Sequence, residues 1–274
     1  MSSKIKKAII IGIFGVIFNL VAQAEELNLE CEMCPLYSPA ITQTEEIKVL
    51  AAASLKYVLE EIKRDFLADK KGNKIEISYI SSGKAYAQIK NGYPAHLFVS
   101  ADVSYPAKLY AEKLAPSKEE IYAKGKLVLW SNDANFKIKE FSDILNVKIT
   151  HIAIPNPKLA PYGRASIEAL ETTKMLQKVQ AKFVTGESIG AATTYVESKN
   201  AEVGFTALSV LGEGGINTPT MSYVAIDEKL YKPILQALVI TNYGKDSRLA
   251  KDFKDYILSK SAKEKFVKFG YSVE

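Results

Sequence analysis

The chain has 274 residues, and its 36 lysines and arginines against 31 aspartates and glutamates give a formal net charge of +5. This small excess forms no basic block interleaved with aromatic residues, so the charge pattern argues against a nucleic-acid-binding protein. With 47% hydrophobic residues, a chain of this length can fold as one large domain or as two smaller ones, each with its own core.

The N-terminal residues have the pattern of a secretory signal peptide. Lysines precede an apolar run at residues 8–18, and Ala22 and Ala24 fit the small-residue pattern of a cleavage site. An uncleaved membrane anchor needs about 20 apolar residues, but Asn19 interrupts the run before that length. We therefore predict a signal peptide over residues 1–24 and a periplasmic mature protein.

The next segment, residues 25–45, predicts a flexible leader ahead of the first strand. It contains both cysteines of the chain, Cys31 and Cys34, in a C-x-x-C spacing. In an oxidising periplasm these two residues can pair locally or belong to a flexible tether, and we favour a disulfide within the leader. Without a second pair or a nearby histidine, this spacing is weak evidence for a metal site.

Residues 47–69 predict a strand that leads directly into an amphipathic helix. Residues 47–50 have the composition of a strand entering a sheet, and apolar residues from Leu55 to Leu67 recur every three or four positions. Ser54 falls at the turn between the two elements, where the first N–H groups of a helix are unpaired and its dipole is positive. A plain N-cap serine explains this position on its own, but an anion can bind at the same turn.

The remaining chain alternates strand and helix patterns, which indicates an α/β fold with mainly parallel sheets. Ser81 and Ser82 follow the second strand, so a second strand-to-helix turn carries hydroxyl groups. In open parallel sheets such turns gather at one edge, where ligands bind. The tail at residues 249–269 predicts one or two helices. The predicted strands cover residues 47–50, 75–80, 95–99, 126–130, 152–154, 203–206, 222–226 and 235–240.

Two later helix starts have similar turns, at residues 161–163 and 186–190. The second of them also matches G-x-S-x-G, the nucleophile turn of serine hydrolases, with Ser188 as the nucleophile. In that arrangement the histidine base follows the serine along the chain, whereas His96 and His151 both precede Ser188. We therefore favour a helix cap or an anion contact for Ser188 and keep a secreted serine hydrolase as the rival interpretation.

No catalytic, metal or cofactor constellation is complete in this sequence. Its two histidines and two cysteines do not combine into a metal-ligand spacing, and the glycine-rich residues 212–215 lack the lysine of a phosphate-binding P-loop. What recurs instead is a helix start that carries Ser, Thr, Gly or Tyr. The residues alone therefore favour a binding protein for a small anion, not an enzyme, with no cofactor and no metal site.

Several segments together resemble the periplasmic molybdate-binding proteins of ABC transporters. The resemblance covers roughly residues 46–269, almost the whole mature chain. The segments that carry it are residues 49–55 (VLAAASL), 81–102 (SSGKAYAQIKNGYPAHLFVSAD), 122–131 (YAKGKLVLWS), 152–165 (IAIPNPKLAPYGRA) and 201–209 (AEVGFTALS).

The resemblance implies a type II periplasmic-binding-protein fold, an α/β fold of two lobes joined by two crossover strands. Lobe 1 would comprise residues 46–124 and 221–274, and lobe 2 would comprise residues 125–220. The crossover strands would lie at residues 126–130 and 222–226. The lobes of this family close on a tetrahedral oxyanion.

The resemblance also implies which residues contact the oxyanion. Ser54 and Ser82 match hydroxyl ligands, while Tyr162 and Ile189 fall where the second lobe donates backbone N–H groups. No arginine or lysine contacts the oxyanion in this family. This chain has Ala207 where some members supply a tyrosine hydroxyl, so that contact is not carried over, and His96 replaces a usual acid without becoming a ligand.

We therefore expect a monomeric periplasmic solute-binding protein that captures molybdate or tungstate and delivers it to the membrane permease of an ABC transporter. Nucleic acid is not an expected partner, and no metal is expected beyond that of the oxyanion ligand. The alternative within the same class is a sulfate- or phosphate-type receptor. The alternative from another class is the serine hydrolase using Ser188.

Overall fold

The structure, a computed structural model, describes residues 44–212 and 214–273, which belong to a compact unit beginning at Thr44. The signal peptide expected over residues 1–24 and the leader with Cys31 and Cys34 lie outside the described residues. Within the described ranges, no helix combines the length and the apolar character that crossing a membrane requires.

Strands and helices alternate along the described chain, which confirms the expected α/β class. The strands are β1 (Glu46–Ala52), β2 (Lys74–Ile80), β3 (Leu97–Val99), β4 (Glu120–Gly125), β5 (Leu127–Ser131), β6 (Ile152–Pro155), β7 (Phe183–Gly186), β8 (Val203–Ala207), β9 (Ser222–Ala225) and β10 (Ile234–Ile240). The α-helices are α1 (Lys56–Leu67), α2 (Ser82–Lys90), α3 (Ser104–Ala111), α4 (Pro161–Thr172), α5 (Leu176–Val179), α6 (Ile189–Glu197), α7 (Arg248–Leu258) and α8 (Lys260–Lys268).

The strands form two five-stranded sheets. The first sheet has the order β2-β1-β3-β10-β4, and the second has the order β7-β6-β8-β5-β9. Strand β1 is parallel to β2 and β3, and β6 is parallel to β7 and β8. In contrast, β10 and β5 run antiparallel to both of their neighbours. Four of the five strands in each sheet therefore run in the same direction, and the one reversed strand, β10 or β5, is the strand that enters from the other sheet. The expectation of mainly parallel sheets is confirmed with that exception.

The chain passes between the two sheets twice. Strand β4 ends at Gly125 in the first sheet and β5 begins at Leu127 in the second, so Lys126 alone joins them. The chain returns between Ala225, the end of β9, and Ile234, the start of β10. Because β9 still pairs with β5, the sheets place this return a few residues after the sequence-based boundary at residue 220.

Amphipathic helices cover the first sheet and explain why their apolar stripes are buried. Helix α1 buries Val58, Leu59, Ile62 and Phe66, and the tail forms two helices, α7 and α8. The rings of Phe66 and Phe253 pack with centroids 5.1 Å apart. Burying an apolar side chain of this size stabilises a fold by about 1.5–3 kcal/mol, so this layer holds β1 firmly in place.

His96 lies just before β3, at the opposite end of that strand from Ser100. Its Nδ1 accepts a hydrogen bond from the Lys48 backbone N–H (3.0 Å), and its ring meets Tyr243 edge-on, with centroids 4.8 Å apart. Burial lowers the pKa of His96. Protonation of Nδ1 would set two N–H groups against each other, so the fold requires the neutral imidazole.

This requirement predicts a pH-dependent stability. The folded-state pKa of His96 lies below the unfolded value of about 6.5. The neutral imidazole therefore contributes fully to the free energy of unfolding above about pH 6.5. This contribution is lost as the pH falls from there towards the lowered pKa. We expect the free energy of unfolding to fall less between pH 7 and pH 5 in a His96→Asn variant than in wild type, measured by denaturant titration. Equal slopes in wild type and His96→Asn would contradict this prediction.

Candidate functional site

The first sheet presents two helix starts side by side. The register of β1 and β2 sets Ala52 opposite Ile80, and Ser54 and Ser82 each follow two residues later. Ser54 lies in a short 3-10 helix, Ala53–Leu55, that precedes α1, while Ser82 is the first residue of α2. Parallel pairing therefore brings both serines to the same edge of the sheet, as the sequence predicted for these two turns.

The Ser54 hydroxyl is buried without a partner. Ser54 is 1% exposed, and its Oγ makes no hydrogen bond to any described residue. Its backbone is fixed nonetheless, because the Ser54 carbonyl accepts hydrogen bonds from Ser209 Oγ (3.0 Å) and from the Tyr271 hydroxyl (3.1 Å). An unsatisfied buried hydroxyl costs about 1–3 kcal/mol. This position is therefore one where a ligand that accepts a hydrogen bond would be stabilised.

The Ser82 turn adds further hydroxyl groups. Ser82 Oγ accepts a hydrogen bond from the Ala101 N–H (3.0 Å), which leaves its own hydrogen free to be donated. Ser81 occupies the N-cap of α2, but its side chain makes no capping bond, and its buried Oγ has no partner among the described residues. The sequence-based set contained Ser82 and not Ser81. Because Ser81 and Ser82 are adjacent at this turn, the sequence could have indicated Ser81 as a second candidate contact.

The second sheet presents the other pair of predicted contacts. Its register sets Pro155 opposite Gly186, and the helices that follow these strands are α4 and α6. Tyr162 is the second residue of α4, and Ile189 is the first residue of α6. Backbone N–H groups in the first turn of a helix have no partner within that helix. Both residues are therefore placed to offer N–H groups to an anion.

A glycine sets how closely α4 begins beside its sheet. A Cβ added to Gly163 would lie 2.2 Å from the Pro155 carbonyl oxygen, so a side chain would push the helix start away. The N-cap residue Ala160 has no side-chain acceptor and makes no capping bond. The Gly163 and Arg164 N–H groups donate to the Ala160 carbonyl. The start of α4 therefore combines a close backbone approach with an uncapped N–H at Tyr162.

The edges of the two sheets face each other. The Gly83 N–H donates to the Leu159 carbonyl (2.9 Å), which joins the start of α2 to the loop before α4. Gly190 lies next to Ala53, where an added Cβ would be 3.4 Å from the Ala53 Cβ. The helix starts that carry Ser54, Ser82, Tyr162 and Ile189 thus meet across the space between the sheets.

Two ion pairs also span the facing edges. Arg164, in the first turn of α4, pairs with Asp102, and Lys84 pairs with Glu187 at 2.8 Å. Asp102 is 9% exposed and also accepts hydrogen bonds from the hydroxyls of Ser100 (3.1 Å) and Ser104 (2.9 Å). The Arg164 guanidinium is therefore paired with a carboxylate, and Lys84 is likewise paired with Glu187.

Ser188 has the role of a helix cap. Its Oγ accepts a hydrogen bond from the Ala191 N–H at 3.2 Å. Neither histidine bonds to it, since His96 is held by the Lys48 N–H and His151 lies beside Thr150. The rival interpretation of Ser188 as a nucleophile therefore lacks a histidine base in the described part of the chain.

Ala207 ends β8 and is fully buried, and its methyl side chain has no hydrogen-bond donor. The 3-10 helix Leu208–Val210 follows directly, and its Ser209 bonds to the Ser54 carbonyl. This segment therefore supports the site through Ser209, a contact that the sequence patterns did not indicate. Among the residues described, His, Cys, Asp and Glu side chains form no group of three or more that could hold a metal ion.

Comparison with known proteins places the chain among transport proteins. A family model described as "Bacterial extracellular solute-binding protein" matches residues 47–272. A "Molybdate-binding protein ModA" of Rhodobacter capsulatus is 37% identical, covering 84% of this chain and 89% of that protein. A protein of the same name from Azotobacter vinelandii is 34% identical, covering 85% of this chain and 92% of that protein. The solved structure of a periplasmic molybdate-binding protein of Azotobacter vinelandii superposes with a TM-score of 0.76 at 33% identity, covering 83% of this chain and 99% of that one.

The capping role of Ser188 predicts a loss of stability on substitution. Ser188→Ala removes the acceptor of the Ala191 N–H and should lower the free energy of unfolding by about 0.5–2 kcal/mol, measured by denaturant titration. The control is Ser198→Ala at the other end of α6, where the exposed hydroxyl bonds only to carbonyl groups of its own helix or to Asn200. That control should stay within about 0.5 kcal/mol of wild type.

Two outcomes would contradict the capping role. The first is a Ser188→Ala variant as stable as wild type. The second is covalent labelling of Ser188 by a serine-reactive phosphonate, which would restore the hydrolase interpretation.

Proposed function

The chain belongs to the bacterial extracellular solute-binding proteins, and we propose that within this family it captures molybdate or tungstate for the permease of an ABC transporter. The two relatives described above, both named for molybdate binding, match most of its length at 34% and 37% identity. The observation that carries the proposal is the buried Ser54 hydroxyl. Among the described residues it lacks an acceptor, and an oxyanion between the facing helix starts would supply one.

The proposed ligand set consists of neutral donors. The hydroxyls of Ser54 and Ser82 and the backbone N–H groups of Tyr162 and Ile189 would donate to the four oxygens of a tetrahedral dianion. Helix starts supply partial positive charge, so this set stabilises an anion without a cationic side chain. A lysine or arginine in the same place would add a charge that must be desolvated whenever the site is closed and empty.

The two sheets support a two-lobe arrangement. We assign residues 46–124 and 221–274 to lobe 1 and residues 125–220 to lobe 2, with the pairing of β9 favouring a return after Ala225. The lobes would close on the oxyanion, as contacts from both sheets require. Hydrogen bonds and ion pairs across the facing edges, such as Arg164 with Asp102, support a closed arrangement.

The same proposal includes a location and a mode of action. The protein would act in the periplasm as a monomer after removal of its signal peptide, with no catalytic activity and no cofactor. Its partners would be the oxyanion and the membrane permease, and not nucleic acid. The capping bond made by Ser188 supports this assignment over the serine hydrolase.

Removing either serine hydroxyl should weaken ligand binding without unfolding the protein. Ser54→Ala and Ser82→Ala each delete a donor to a buried charged oxygen, a bond worth about 1.5–3 kcal/mol, so the dissociation constant for molybdate should rise about ten- to a hundredfold. Isothermal titration calorimetry measures this change. Ser188→Ala is the control and should lose less affinity, because its hydroxyl caps α6. Unchanged affinity in both variants would remove these serines from the site.

The donor set also predicts selectivity among oxyanions. Phosphate near neutral pH keeps at least one proton, and none of the proposed contacts is a carboxylate that could accept it, so a buried P–OH would cost about 1–3 kcal/mol or more. Sulfate is a fully deprotonated dianion and avoids that penalty, but its shorter S–O bonds leave the donors out of reach after closure. We expect tungstate and molybdate to bind alike, sulfate much more weakly and phosphate not measurably, in competition calorimetry. Sulfate within tenfold of molybdate would favour the sulfate-type receptor instead.

A further inference from the structure

A chain of buried polar side chains crosses from one sheet to the other beside the site. Gln236, on β10, is 0% exposed. Its Nε2 donates to the Tyr162 hydroxyl on α4 (2.9 Å), and its Oε1 lies 2.8 Å from the hydroxyl of Tyr122 on β4. Tyr122 and Gln236 belong to the first sheet and Tyr162 to a helix of the second. The hydrogen bond between Gln236 and Tyr162 therefore joins the two halves of the fold.

The Gln236 amide lies between two buried phenols. The Tyr122 hydroxyl lies 2.8 Å from both the Ser100 carbonyl oxygen and Gln236 Oε1, and its single hydrogen is shared between these two acceptors. Burial raises the pKa of Tyr122 well above its ordinary value, which keeps this phenol a donor. The NH₂ group of Gln236 is then directed at Tyr162, whose oxygen accepts from it.

Glycine at the crossover makes room for this bond. A Cβ added to Gly125, the last residue of β4, would lie 2.0 Å from the Tyr162 hydroxyl oxygen and 2.5 Å from Gln236 Nε2. Any larger residue at this position would therefore displace one or both side chains. The backbone at the first passage between the sheets lies directly against the bond between Gln236 and Tyr162.

The buried phenol of Tyr162 lies beside the Ser54 side chain. Tyr162 is 1% exposed, and burial raises the pKa of its phenol well above the ordinary value, while the adjacent Gln236 and Ser54 side chains oppose this rise. The geometry between the Ser54 and Tyr162 hydroxyls is not that of a hydrogen bond, since Ser54 Oγ has no partner among the described residues. The phenol of Tyr162 therefore lies beside Ser54 without a hydrogen bond to it, and its backbone N–H belongs to the first turn of α4.

We propose that Gln236 is a positioning residue for oxyanion binding, which acts by holding the Tyr162 side chain against the crossover. This inference rests on the proposed function and extends it to a residue outside the ligand set. Because the phenol and the backbone N–H belong to one residue, the bond to Gln236 fixes the first turn of α4 relative to Ser54. Since the bond joins both sheets, it and the ligand stabilise the same closed arrangement, and each strengthens the other.

A double-mutant cycle on the full mature chain tests this inference with molybdate as the probe. Tyr162→Phe removes one oxygen atom and keeps the ring and the backbone N–H. Gln236→Leu removes the amide, while Tyr122 retains the Ser100 carbonyl as its acceptor. Each single variant should raise the dissociation constant about fivefold, the loss expected for one neutral hydrogen bond. The double variant should be no weaker than either single variant, because all three lack the same bond.

Tyr231→Phe is the matched control. The Tyr231 hydroxyl accepts a hydrogen bond from the Leu127 N–H (3.2 Å) at the same crossover. Within the described residues, it makes no hydrogen bond to Tyr162 or Gln236. This variant should lower the melting temperature of the ligand-free protein and leave the dissociation constant within twofold of wild type. A merely structural role for Gln236 would give the same pattern in Gln236→Leu.

The outcomes separate this inference from the function on which it rests. A wild-type protein that binds neither molybdate nor tungstate overturns both. A wild type that binds, with both single variants within twofold of it, overturns the role of Gln236 alone, and so does a double variant whose loss is the product of the single losses. Tyr162→Phe, which differs from wild type by one atom, decides the question if Gln236→Leu does not fold.

Discussion

A buried hydroxyl that is kept without a partner is the constraint on which the rest of the site depends. Leaving Ser54 Oγ unsatisfied costs about 1–3 kcal/mol, and the fold offsets this cost in the surrounding structure. Hydrogen bonds from Ser209 and Tyr271 hold the Ser54 carbonyl, and the apolar stripe of α1 anchors the turn from below. Because the backbone is held, Ser54 cannot move to expose its hydroxyl to water. A ligand that accepts a hydrogen bond from this hydroxyl removes the cost of leaving it unsatisfied, and this gain in free energy adds to the binding affinity.

The burial of Ser54 also explains why the proposed donors are neutral. A charged side chain near Ser54 would attract a dianion, but it would also be buried and unpaired in the empty closed form. Arg164 shows how the fold avoids this outcome, because Asp102 neutralises it, and Ser100 and Ser104 hold the carboxylate. The positive potential is then left to the helix starts, whose N–H groups have fixed directions and need no counter-ion.

Local features of the chain could be predicted from sequence, whereas distant contacts could not. The turn carrying Ser54 was recognisable because a strand composition and a helical apolar stripe meet there within a few residues. Strand β4 was not predicted, since its residues mix charged, aromatic and small side chains in no clear alternation. The partners of the Ser54 carbonyl lie 155 and 217 residues away, and no periodicity relates positions at such separations. For the same reason Gln236 could not be linked to Tyr162, although Tyr162 itself was among the predicted contacts.

Contacts across the facing edges determine how readily such a site can release its ligand. The pair Lys84 and Glu187 is about half exposed, and pairs of this kind stabilise by only about 0–1 kcal/mol. The bond from Gly83 to Leu159 exchanges for a bond to water when the sheets separate, which leaves a net gain of only about 0.5–1.5 kcal/mol. Polar contacts of this size bias the closed arrangement without committing the protein to it. Under the proposed function, the hydrogen bonds of the oxyanion would then decide the population of the closed form, and a partner that favours the open form would release the ligand.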